Sequence, residues 1–111
     1  MPFIVVDALP QGDGIEPETV LRRLNEAVGE LLGRAPEVAW SLWREVEPGR
    51  YLVGTDAAST QPAATHPPLV TIMLARPPEV AERIAERVGE VLDRELGLEP
   101  GSSFVHVQRL D

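Results

Sequence analysis

Cysteine and lysine are both missing from this chain. Without cysteine there is no disulfide, no thiolate metal site and no thiol nucleophile. Without lysine no side-chain amine is on hand for Schiff-base chemistry, which leaves the N-terminus as the only amine of the protein. All 10 basic residues are arginine, a bias that a GC-rich genome also produces. Positive charge is scarce besides. Against 18 acidic residues the net charge is −8 and the pI about 4.7, so the basic face that a phosphate backbone requires is not supplied and no nucleic-acid partner is expected. No apolar run approaches the ~18 residues of a membrane span, and no charged segment leads into a long apolar stretch as in a signal peptide. A cytoplasmic protein without a membrane partner is the expectation. Neither histidine has a partner at metal-ligand spacing, so no metal and no cofactor is expected.

What is present suits one domain, 1–111, since 111 residues with 43% apolar content can enclose one core but not two. The chain opens Met1-Pro2-Phe3-Ile4-Val5-Val6, a proline directly behind the initiator and then a strand. If Met1 is removed, Pro2 becomes a free secondary amine. An α-amino group titrates at about 7.7–8.0, and an apolar pocket or nearby cation lowers it, which makes a proton-transfer base. The competing reading is an ordinary strand start, where a missing N–H costs nothing.

Phe3 to Leu9 reads as a strand ending at Pro10 and the Gln11-Gly12-Asp13-Gly14 turn. From Pro17, the residues Val20, Leu24, Ala27, Val28 and Leu31 recur at helical spacing until Gly33. Val38 to Val46 reads as a second strand, Tyr51-Leu52-Val53 as a short strand or strand extension, and Gly54 to Pro68 as a connector without periodicity. Leu69 to Ala75 is a third strand, Val80 to Leu96 a second amphipathic helix stopped by Gly97, and Phe104 to Leu110 a fourth strand. The helices match: Val28-Gly29-Glu30-Leu31-Leu32 stands 60 positions before Val88-Gly89-Glu90-Val91-Leu92. With a strand on either side of each helix, the chain reads as strand-helix-strand twice: repeat one over 2–54, connector over 55–68, repeat two over 69–110. The predicted fold is α+β, a four-stranded sheet with both helices on one face. The other face, with apolar strands, needs cover, and self-association through the sheets supplies it.

Several landmarks fall in the order found in a known family: Met1-Pro2 leading into a strand, Gly33-Arg34-Ala35-Pro36, Glu45-Val46-Glu47-Pro48-Gly49-Arg50-Tyr51, and Leu74-Ala75-Arg76-Pro77. On these the chain resembles the tautomerase superfamily, which includes 4-oxalocrotonate tautomerase, malonate semialdehyde decarboxylase and macrophage migration inhibitory factor. The resemblance implies a homotrimer of strand-helix-strand pairs in which Pro2, freed of Met1, is the acid/base. It also implies that Arg76 binds a substrate carboxylate, as a guanidinium fork is suited to do. Alternatively Arg76 is a solvated arginine at a strand end. Pro78 stands where the decarboxylase has a second arginine and Val38 where it has an acidic partner, which counts against decarboxylation.

By the same resemblance Arg34 lies at the mouth of the pocket, although it also suits a helix C-terminal dipole. Trp40 and Tyr51 become aromatic walls, with Trp40 as ordinary core the alternative. His106 and Gln108 line the pocket from the last strand, or His106 is structural. The function so implied is enol–keto proton transfer on a small 2-oxo or 2-hydroxy-enoic acid, the substrate bearing a carboxylate. The alternatives are hydration, dehalogenation or decarboxylation of a three-carbon acid, or a trimeric binding protein without catalysis.

Overall fold

The computed structural model describes residues 2–61 and 63–110, so the fate of Met1 lies outside the described residues. Strand β1 (Phe3–Ala8) leads to helix α1 (Pro17–Leu31), a 3-10 turn (Pro36–Val38) and strand β2 (Trp40–Glu45). Strand β5 (Leu69–Leu74), helix α2 (Pro78–Glu95) and strand β6 (Phe104–Arg109) repeat that order. Between the halves lies a small hairpin of β3 (Leu52–Val53) and β4 (Asp56–Ala57). The main sheet runs β2-β1-β5-β6, parallel within each half and antiparallel where β1 meets β5. The two halves share a register, since Phe3 sits opposite Trp40 as Leu69 sits opposite Phe104.

Alternation along the central strands decides which way each residue points. Ile4, Val6 and Ala8 of β1 and Val70, Ile72 and Leu74 of β5 face the helices, all at most 1% exposed. They meet Val20, Leu24 and Val28 of α1 and Ile84, Val88 and Leu92 of α2. Each larger side chain so buried contributes about 1.5–3 kcal/mol, which makes this one layer the main source of stability. Both helices close on a glycine in the left-handed region, Gly33 at φ 65° and Gly97 at φ 67°. Beyond them the Arg34 N–H donates to the Gly29 carbonyl and the Leu98 N–H to that of Asp93, both at 2.8 Å, which satisfies carbonyls the helix ends would otherwise orphan.

Two expectations change. The second strand is shorter than 38–46, because Pro36 to Val38 turn as a 3-10 segment with the Ala39 N–H donating to the Pro36 carbonyl at 3.0 Å. Proline's fixed φ favours such a turn start. The connector is also more ordered than its sequence suggests. It contains β4 and two buried polar residues, Gln61 and His66, exposed only 2% and 1%. His66 Nε2 lies 2.9 Å from the Asp56 carbonyl and Nδ1 2.9 Å from the Thr65 hydroxyl oxygen. The Gln61 amide donates to the His66 carbonyl, and the Gln61 N–H donates to that of Pro10 at 2.8 Å. These polar groups tie the loop through backbone carbonyls, a device that leaves no periodic trace.

The sheet face away from the helices carries three cross-strand rows: Trp40–Phe3–Met73–Gln108, Leu42–Val5–Thr71–His106 and Arg44–Asp7–Leu69–Phe104. Much of it is apolar, and no helix among the described residues covers it, with Trp40 57% and Phe104 60% exposed. Arg44 donates to both Asp7 carboxylate oxygens, at 2.7 and 2.9 Å. That hydrogen bonding, and then the opposite charge, raises the Arg44 pKa further.

Candidate active site

Topology decides which chain ends meet. Because β1 is parallel to β2 and antiparallel to β5, the starts of β1 and β2 lie beside the ends of β5 and β6. Pro2, Trp40, Arg76 and Gln108 are thereby brought to one end of the sheet from four separate segments. Pro2 is buried, and its carbonyl accepts the Trp40 N–H at 3.0 Å, which extends the β1–β2 ladder by one bond. Trp40 stands edge-on to Phe3 with ring centroids 6.5 Å apart, on the open face and not in the core.

Arg34 reaches the same end by a different route. It follows the glycine that ends α1, in the loop leading to β2, and its backbone bond to Gly29 pulls that loop tightly against the helix. Gly29 permits this approach, since a Cβ there would lie 2.9 Å from the Arg34 carbonyl oxygen. Arg76 follows β5 and is half-buried, and its carbonyl accepts a hydrogen bond from Arg109 Nε at 3.1 Å. Arg109, at the last position of β6, was not singled out by sequence. Its only signal there is its place in the alternation, on the helix-facing side after Val105 and Val107.

The remaining candidates are spread along the sheet. Gln108 shares a row with Phe3 and Trp40, while His106 is one row further along, beside Thr71. Both are exposed on the open face. Tyr51 lies at the opposite end of the sheet, where its hydroxyl donates to the Pro67 carbonyl at 2.6 Å and its ring meets His66 edge-on at 5.0 Å. Within one chain Tyr51 therefore belongs with the connector and not with Pro2. Burial raises its phenol pKa. An open groove of about 480 Å³ runs between α1 and the edge of β2, lined by Leu21, Asn25, Pro36 and Trp40 among others, and Pro2 is not in its wall.

No family model matches the sequence, and no curated protein matches it. Solved structures do resemble it. One is a protein inactivated by 2-oxo-3-pentynoate, with a TM-score of 0.79 at 13% identity over 97% of this chain and 85% of that one. A fused 4-OT that forms an asymmetric trimer gives a TM-score of 0.77 at 22% identity, again over 97% of this chain and 85% of that one. A macrophage migration inhibitory factor-like protein from Entamoeba histolytica gives 0.69 at 12% identity, over 98% of this chain and 88% of that one. The likeness spans the whole pair of strand-helix-strand units.

Proposed function

We propose that this chain, which has the tautomerase-superfamily fold, is a cofactor-independent enol–keto tautomerase of a small 2-oxo or 2-hydroxy-enoic acid, with Pro2 as its acid/base. The observation that carries the reading is the position of Pro2, buried at the one end of the sheet where Arg34, Arg76 and Trp40 also gather. Once Met1 is removed, its nitrogen is the only amine in a chain without lysine. Burial disfavours the ammonium and so favours the neutral amine, the state a base requires. The neutral nitrogen takes the enol hydroxyl proton as the carbonyl forms. The resulting ammonium then returns a proton to carbon. Atoms and charge balance without a co-reactant, and an arginine holds the substrate carboxylate throughout.

The whole chain acts as one domain, and three copies associate through their open sheet faces; the fused 4-OT structures it resembles are trimers. The exposed Trp40, Leu42 and Phe104 supply apolar area for that contact. In this arrangement His106 and Gln108, which face away from their own helices, line the site of a neighbouring copy, and Tyr51 reaches a site only across an interface.

The test is the ultraviolet-monitored ketonisation of a 2-hydroxydienoate by the protein and by Pro2→Ala, after an intact mass confirms the loss of methionine. A rate above buffer that falls about 10²–10⁴-fold in the variant is the expected result for loss of a positioned acid/base. The amine also predicts alkylation by 2-oxo-3-pentynoate, read as a mass increase on the N-terminal peptide. No rate above buffer with either protein would refute the tautomerase reading for this substrate class.

A further inference from the structure

The chain holds nearly two carboxylates for every arginine, so most arginines should find a partner, and most do. Arg22, Arg23, Arg44, Arg50, Arg87 and Arg94 each lie within 4.0 Å of a carboxylate oxygen. Among the described residues Arg34, Arg76, Arg83 and Arg109 have none. Arg83 is on the outer surface of α2, in a shallow groove it shares with Glu86 and Glu90. The other three share the Pro2 end of the sheet. In a protein of net charge −8, cations without counter-charges gathered at one place attract an anion.

We propose that Arg109 is a second carboxylate-binding arginine, working with Arg76 on the substrate acid. The assignment rests on the tautomerase reading for the identity of that acid, and on geometry for the residue. Arg109 is opposite Leu74 in the β5–β6 register, so it reaches the segment after β5 from the neighbouring strand. Its Nε is committed to the Arg76 carbonyl, which holds the guanidinium against the end of β5. The two terminal nitrogens have no acceptor among the described residues and are free to grip a carboxylate in parallel. Arg109 lines a groove between β6 and α2 with Val107, Pro78 and Glu82, and Glu82 forms no ion pair with it within 4.0 Å. Arg109, held to the Arg76 backbone, thus supplies from β6 a guanidinium beside the segment that carries Arg76, instead of from the Arg76-Pro77-Pro78 run.

Steady-state kinetics of the full chain on a 2-hydroxydienoate and on its methyl ester test this, comparing Arg109→Gln with Arg83→Gln, after circular dichroism shows both variants folded. For the acid, Arg109→Gln should raise KM about tenfold or more with kcat changed less than about twofold, while ester turnover and the Arg83→Gln enzyme stay at wild-type values. An unchanged KM for the acid, or an equal rise for acid and ester, overturns the assignment. Should the wild type turn over neither compound, the tautomerase reading fails and the inference is judged by calorimetric titration with 2-oxobutanoate. Binding by the wild type that weakens about tenfold in Arg109→Gln upholds the anion site. No binding, or equal binding by both, overturns it.

Discussion

Gly29 and Gly89 occupy matching positions in the two helices, yet alanine at each should have opposite effects. In a helix interior alanine is favoured over glycine by about 0.8–1.0 kcal/mol, so both substitutions begin with the same gain. At Gly89 the new Cβ would meet only a Val105 methyl at 3.6 Å, an ordinary contact, and the gain survives. At Gly29 it would lie 2.9 Å from the Arg34 carbonyl oxygen, 3.0 Å from that of Ala35 and 3.1 Å from the Ala35 carbonyl carbon. All three are backbone atoms, which cannot rotate away. Relief requires the loop to retreat by about 0.5 Å and to weaken the Arg34 N–H bond to Gly29, at an overpacking cost of about 1–3 kcal/mol. Net, Gly29→Ala loses about 1 kcal/mol and Gly89→Ala gains up to about 1 kcal/mol. For a chain of this size the gap of about 2 kcal/mol corresponds to roughly 8 °C in Tm. Thermal unfolding followed by circular dichroism at one fixed protein concentration measures it, since association would otherwise shift the midpoint. Equal midpoints for the two variants would refute the close-approach argument. Because Arg34 rides on the displaced loop, Gly29→Ala should also raise KM for a carboxylate substrate and Gly89→Ala should not.

Two further outcomes follow from other parts of the fold. Burial holds the folded-state pKa of Tyr51 above its unfolded value, so the stability this contributes is complete below about pH 10 and is lost as pH rises through the folded pKa. As the only tyrosine, Tyr51 can be titrated directly at 295 nm, and its midpoint should lie above 10. Tyr51→Phe should cost about 1 kcal/mol at neutral pH for the lost bond to Pro67 and decline less steeply in alkali, as urea unfolding across that range would show. A wild-type midpoint at or below the ordinary phenol value would contradict this. Leu42→Glu places a charge on the open sheet face without touching the helix-side core, so the far-ultraviolet spectrum should persist while native mass spectrometry shows monomers in place of trimers. A trimer that survives the substitution would mean the copies associate by another surface.

Sequence alone determined the two helices, the four main strands and the duplication, because these rest on short-range regularities. Apolar residues recurring with the helical period need a core on one side, and Gly33 and Gly97 end their helices by conformations that few other residues adopt. The absence of lysine likewise made the N-terminus the only amine before any coordinate was known. Tertiary structure decided what depends on convergence. The antiparallel meeting of β1 with β5 sets Arg76 and Arg109 at the Pro2 end of the sheet, and the same arrangement carries Tyr51 to the far end. Trp40 is an exposed aromatic and not core, because the parallel register with β1 places it in the row of Phe3 on the uncovered face. His66 and Gln61 stitch the connector through single bonds to the carbonyls of Asp56, His66 and Pro10, and such bonds impose no repeated spacing that a linear pattern could reveal. Local chemistry writes a period into the chain, whereas a site assembled from four segments exists only after the strands have chosen their neighbours and direction.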